Sequence, residues 1–216
     1  MHDQPLTEMR PRIEYYFSFV SLWSYIGCAA FEQLVARHNI KVVYKPIDLH
    51  AIFKAGGGLP VTQRPPQRQA YRFVEMQRWA DLRGVPLVLK PRHHPSNPEV
   101  GHRMLLAALA QGLDVTAFAR NALKVLWVHD LNIEDPQVMV DVANQSGLDG
   151  AALLLQAEDP ERYAQTQALT DEAIAQQVFG TPFYVYQGEP FWGQDRLDLL
   201  ESALISQRAP VPFKLL

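Results

Sequence analysis

The chain has one cysteine, Cys28, so it can form no internal disulfide and holds no Cys-x-x-Cys redox pair. That excludes dithiol–disulfide exchange within the chain and is compatible with a reducing compartment. No charge of either sign is in excess: 20 Lys and Arg against 23 Asp and Glu leave a net charge of −3. Nothing in that balance points to nucleic acid or to an anionic membrane surface. No run approaches the roughly 20 apolar residues needed to span a bilayer. The opening MHDQPLTEMRPR has no apolar stretch behind its charges and does not read as a secretory signal. These absences predict a soluble, cytoplasmic protein. What is present is an ordinary globular composition: 216 residues, 48% of them hydrophobic, enough for one large domain or two small ones.

Residues 1–11 are polar and contain prolines, and read as a loose tail. RIEYYFSF, 12–19, is rich in aromatic and β-branched types and predicts a strand. From Leu22 to His38 apolar residues recur at helical spacing (Tyr25, Ala29, Phe31, Leu34, Val35), and Asn39 ends the pattern. IKVVYKPI, 40–47, predicts a second strand, parallel to the first through a right-handed crossover. KAGGGLPVTQRPPQ, 54–67, is a loop dense in Gly and Pro. A helix follows over 67–84 with Phe73, Met76, Trp79 and Ala80 on one face, then an irregular stretch, 85–98. Helical patterns run over 99–111, 115–128, 136–145, 149–157 and 160–179. The segment 180–204 reads as strand, tight turn at Gln187–Gly188, short strand and helix. The order β-α-β, helical block, β-β-α predicts an α/β thioredoxin-like fold with a large all-helical insertion. The first part of the thioredoxin-like domain is expected over 12–47, the insertion over 48–170 and the second part over 171–207.

In such a fold, SLWS at Ser21–Ser24 stands where a redox protein carries its two cysteines. Serine is a preferred helix N-cap, and a helix N-terminus favours an anion. Ser21 therefore reads as a cap, while Ser24 reads as structural, bonded to the first-turn backbone. GTP, 180–182, opens the strand before the hairpin. An isolated Thr-Pro is ordinarily trans, but in this setting Thr181–Pro182 is expected to be cis, turning the backbone N–H and C=O of Thr181 outward. Cys28 reads as a small buried hydrophobe, and Trp79 and Trp127 as core aromatics.

FSFVSLWSYIG together with VFGTPFYVYQGEPFWGQDRLDLLE resembles the 2-hydroxychromene-2-carboxylate isomerases. These are glutathione-dependent relatives of the kappa-class glutathione transferases and of DsbA-like oxidoreductases. MQRWADLRGVPLV and HHPSNP share the likeness, which spans about residues 12–204. The resemblance implies glutathione as the source of the thiol that the chain lacks, with Ser21 as the catalytic group stabilising its thiolate. It implies Thr181 and Pro182 as a backbone platform, and Trp192, Gly193, Gln194 and Asp195 as the turn that grips the γ-glutamyl end. Asp195 reads alternatively as a helix cap with Arg196 on the surface. The implied reaction is reversible thiolate addition to an unsaturated, aromatic-derived carboxylate, and a homodimer is implied as well. A kappa-like transferase, which keeps the thioether, is the neighbouring reading, and a non-catalytic thioredoxin-fold binding module is the reading from another class.

The substrate pocket is expected from Lys54, Thr62, Gln63 and Arg64 in the Gly/Pro-rich loop and from His93, His94 and Asn97, each alternatively a solvated surface residue. A cation there would hold a substrate carboxylate. The paired histidines have no third ligand at a metal-binding spacing, so no metal is expected. The family pattern Phe-Asp-Phe-x-Ser-Pro stands here as FSFVSL. Ser18 thus replaces an acid near the site, and Leu22 replaces a proline that presets the first helical φ.

Overall fold

A computed structural model describes residues 10–213; the expected tail, 1–11, lies outside the described residues except for its last two. The chain forms strand β1 (Arg12–Phe17), helix α1 (Leu22–Arg37) and strand β2 (Lys41–Pro46). Seven helices follow: α2 (Leu49–Ala55), α3 (Pro66–Arg83), α4 (Glu99–Ala110), α5 (Thr116–Trp127), α6 (Pro136–Gln145), α7 (Gly150–Ala157) and α8 (Pro160–Ala175). The chain then makes strands β3 (Phe183–Tyr186) and β4 (Glu189–Trp192) and helix α9 (Leu197–Ser206). The four strands form one sheet in the order β2-β1-β3-β4, with β1 parallel to β2 and antiparallel to β3. This is the thioredoxin-like arrangement with added helices that the sequence predicts.

Local chemistry sets most boundaries. Asp48, Asp135, Asp149 and Asp159 cap α2, α6, α7 and α8, each carboxylate accepting a hydrogen bond from a first-turn N–H. Proline occupies the first turn of α3, α6 and α8, where a missing N–H costs nothing. The β3–β4 hairpin turns through Gln187 and Gly188, at φ 52° and 83°; a glycine carries the second without penalty. The expected strand over 12–19 stops at Phe17, because Phe19 and Val20 turn toward the start of α1. The helix expected to reach 179 ends at Ala175, and Val178 instead caps the core under β3. Helix α2 falls partly within a stretch read as loop.

Side chains alternate across the sheet. Ile13, Tyr15 and Phe17 of β1 face α1 and the helical block, where Tyr15 stacks on Tyr184 at 5.3 Å and packs on Phe31 at 4.9 Å. Tyr16 faces the opposite way, into a smaller core with Ile47, Ile52, Val178 and Phe183. On that second face Lys45 is buried between carboxylates, with Nζ 2.8 Å from Glu14 and 2.6 Å from Glu172. No helix among the described residues is long and apolar enough to cross a membrane.

Candidate active site

The N-terminus of α1 meets the start of β3 at the mouth of a cavity of about 600 Å³. Ser21 is the N-cap of α1: its Oγ accepts from the Ser24 N–H at 3.2 Å and donates to the Thr181 carbonyl at 3.3 Å. The first turn of α1 contains no acidic residue to offset the positive end of its dipole. Thr181–Pro182 is cis, as expected, and so is His94–Pro95. Ser24 is structural through its backbone N–H, while its hydroxyl is buried without a partner. Tyr25, one residue on, donates to the Pro86 carbonyl and ties α1 to the irregular stretch that walls the cavity.

The opposite wall comes from the helical block. Phe53, Phe73 and Trp127 supply aromatic surface, and the His94 ring lies 5.0 Å from that of Trp127. Trp127 is a core aromatic, as expected, but one edge of it is also cavity wall; Trp79 is only partly buried. Three cations line the space, Arg64, Arg72 and Lys90, and no Asp or Glu among the described residues does. Burial and then the Arg72 and His50 charges push the His94 imidazole down to about 4, so it is neutral near pH 7.

Of the residues singled out in the sequence, Ser21, Thr62, Gln63, Arg64, His94, Thr181 and Trp192 line this cavity. Lys54 and His93 do not. Ile52 of α2 is buried, and Lys54, two positions or about 200° further round the helix, is exposed. Asn97 lines an adjoining cavity of about 370 Å³ together with Ser18 and His102. There the Phe19 N–H donates to His102 Nε2 at 3.2 Å, and the hydroxyls of Ser18 and Ser96 are buried without partners. Pro182, Gly193, Gln194 and Asp195 stand beside the main cavity rather than in its wall. The Gly193 N–H donates to the Pro182 carbonyl at 2.9 Å, which holds this turn against the cis-proline. Gln194 is buried against Gly27 of α1, and its side-chain and main-chain oxygens both accept from Arg83, at 3.1 Å each. Asp195 caps no helix; its carboxylate is half-exposed and pairs with Arg196 at 2.6 Å.

Arg72, Lys90 and Phe53 were not legible as cavity residues. A signal existed for Arg72, which lies four residues before Met76 and so shares the apolar face of α3. Cys28 is half-buried rather than buried; its thiol donates to Glu32 at 3.6 Å, and burial, then the Glu32 charge, hold its pKa well above the ordinary value.

A family model described as a DSBA-like thioredoxin domain matches residues 12–205. The 2-hydroxychromene-2-carboxylate isomerase of Sphingobium xenophagum is 29% identical over 199 residues, 91% of this chain and 100% of the relative. Glutathione S-transferase kappa 1 of Caenorhabditis elegans is 24% identical over 217 residues, 95% of each chain. Among solved structures, a selenomethionine form of 2-hydroxychromene-2-carboxylate isomerase superimposes with a TM-score of 0.78 at 26% identity, covering 91% of this chain and 95% of its own.

Proposed function

The chain belongs to the DsbA-like thioredoxin family, and from that premise we propose that it is a glutathione-dependent isomerase of the 2-hydroxychromene-2-carboxylate type, working on unsaturated acids derived from aromatic compounds. One observation carries the reading. A serine hydroxyl, not a thiol, caps α1 at the mouth of a cavity that combines aromatic walls and cations and that no Asp or Glu among the described residues lines.

The residues at that mouth fit glutathione. Gly180 and Thr181 border the cavity beside Ser21, and the Trp192 indole lies so close that a β-carbon on Gly180 would meet its Nε1 at 2.7 Å. Thr181 and Pro182 offer backbone to the cysteinyl part, and the Gly193–Asp195 turn takes the γ-glutamyl end through the Asp195 carboxylate. Gln194 acts by holding that turn on α1, since Arg83 occupies its oxygens. When bound, glutathione supplies a thiolate that adds reversibly to a carbon conjugated to a carbonyl and leaves a single bond free to rotate.

The chain's part is electrostatic. The Ser21 hydroxyl now spends its proton on a 3.3 Å bond to the Thr181 carbonyl. A bond of that length is weak, and a charge-assisted bond to a thiolate is roughly twice as strong as a neutral one. Rotation of one hydroxyl therefore exchanges a poor acceptor for a good one without moving the backbone. The α1 dipole favours the same anion. On the cavity side, Arg64, Arg72 or Lys90 orients the acid group of the substrate, and Trp127 and Phe73 pack against its ring. The same reading makes the protein a cytoplasmic homodimer.

Calorimetric titration of glutathione at two pH values, with wild type and Ser21→Ala, tests the proposal. Wild type is expected to release protons on binding, and Ser21→Ala to release fewer. Turnover of 2-hydroxychromene-2-carboxylate by the variant is expected to fall about 100-fold, the cost of losing one donor to a developing anion. No glutathione binding up to millimolar concentration would overturn the reading.

A further inference from the structure

The cavity holds more positive charge than one substrate carboxylate needs. Arg72 comes from the apolar face of α3, with its guanidinium 5.9 Å from the Trp127 ring centre and NH1 on the Met76 sulfur at 2.9 Å. Arg64 comes from the turn after residues Val61–Gln63, with Nε on the Leu59 carbonyl at 2.9 Å and its guanidinium 5.8 Å from the Phe53 ring. Lys90 stands 5.3 Å from the Phe73 ring. Each cation therefore sits against an aromatic wall, and no carboxylate of the described residues lines the space to neutralise any of them.

That arrangement costs the protein free energy. Burial, then the neighbouring Arg64 charge, depress Arg72 to about 10. A partly buried charge without a counter-ion is destabilising, and a second like charge beside it adds to the cost. Elsewhere the fold meets the same problem with acids: Lys45 has Glu14 and Glu172, and Arg103, also buried, has Glu158 at 3.2 Å. Among the described residues no carboxylate stands in this cavity as a counter-ion for Arg64 or Arg72, which leaves that place for a ligand's acid groups.

We propose that Arg64 and Arg72 form a two-anion subsite, and that the electrophile is an aromatic-derived acid carrying two negatively charged groups, such as a dicarboxylate. The inference rests on reading this cavity as the electrophile site. It places the ring between Phe73 and Trp127, one acid group on Arg72 and the second toward Arg64.

The test uses unreactive ring acids and no glutathione, so a failure of glutathione binding leaves its outcome untouched. Benzoate, phthalate, isophthalate and terephthalate are titrated into the full chain at low ionic strength, followed by calorimetry and tryptophan fluorescence. At least one dicarboxylate is expected to bind more than fivefold tighter than benzoate. The preference is expected to disappear in Arg72→Met and in Arg64→Gln, and to persist in Arg72→Lys and in Lys41→Gln, an exposed cation on β2. Arg72→Met should also melt no lower than wild type, because it removes an uncompensated charge. A wild-type preference below fivefold overturns the proposal, and this arm decides alone if a variant does not fold. A preference that survives both Arg72→Met and Arg64→Gln overturns it as well.

Discussion

Gly27 lies in the second turn of α1, directly under the turn that carries Gln194. A β-carbon at Gly27 would stand 2.4 Å from Cβ and 3.4 Å from Cα of Gln194. The first distance is far inside van der Waals contact, so one partner must move. Gln194 is not free to do so: it is buried, and two hydrogen bonds from Arg83 pin its side-chain and main-chain oxygens. Overpacking of this kind costs about 1–3 kcal/mol, and disturbing a hydrogen bond to a charged donor adds about 1.5 kcal/mol or more. Against that, alanine in a helix gains up to about 1 kcal/mol over glycine. The balance for Gly27→Ala is a loss of about 2–3 kcal/mol, which for a chain of this size lowers Tm by roughly 4–12 °C. Thermal unfolding followed by circular dichroism reads it directly. A second substitution, Gln194→Gly, removes the clashing β-carbon and should be far less harmful in the Gly27→Ala background than alone, a coupling that a double-mutant cycle isolates. A Tm for Gly27→Ala within about 1 °C of wild type, or strictly additive losses, would refute the idea that close contact with α1 sets the position of this turn.

Two further outcomes are expected. The Thr181 hydroxyl is buried without a partner, so Thr181→Val should raise stability by about 1 kcal/mol. Glutathione affinity should not change, because only the Thr181 backbone is assigned to it. His102 is buried and neutral, its imidazole held down to about 3 by burial and then by Arg103. Its folded pKa lies below its unfolded one, so the unfolded chain binds the extra proton. The stability His102 contributes is complete above about pH 6.5 and is lost as pH falls toward 3, at about 1.4 kcal/mol per unit. His102→Gln, which keeps an acceptor for Phe19, should flatten that limb in urea titrations between pH 7 and 4.

The strands and long helices were legible because their side chains repeat. Tyr15 and Phe17 alternate with Tyr16, and Phe73, Met76 and Ala80 recur on one face, and both patterns persist long enough to be read. Helix α2 was missed because seven residues give less than two turns, and only Ile52 is fully buried in them; its one signal was the Asp48 cap. The mouth of the cavity was legible because Ser21 and Thr181–Pro182 mark the two ends of a known frame. The wall built by the helical block was not. Its residues come from α2, α3, the 89–96 stretch and the end of α5, and only the spacing of four to Met76 sets Arg72 on α3 apart from Arg78, which pairs with Glu75 on the surface. Which neighbour of a pair faces inward was also beyond local reading: His94 meets Trp127 while His93 does not line the cavity.

The sheet order has a consequence for how the protein is made. β1 lies between β2 and β3, and these partners come from opposite ends of the chain. On a ribosome adding about 5–20 residues per second, β1 leaves with β2 close behind, but β3 follows only on the order of 10–30 s later. Throughout that interval one hydrogen-bonding edge of β1, flanked by Ile13, Tyr15 and Phe17, has no native strand to receive. The helices translated meanwhile can cover the face of the sheet but not its edge. The nascent chain thus holds that edge of β1 open through most of its synthesis, and faster elongation is expected to shorten the interval without changing a single contact in the finished fold.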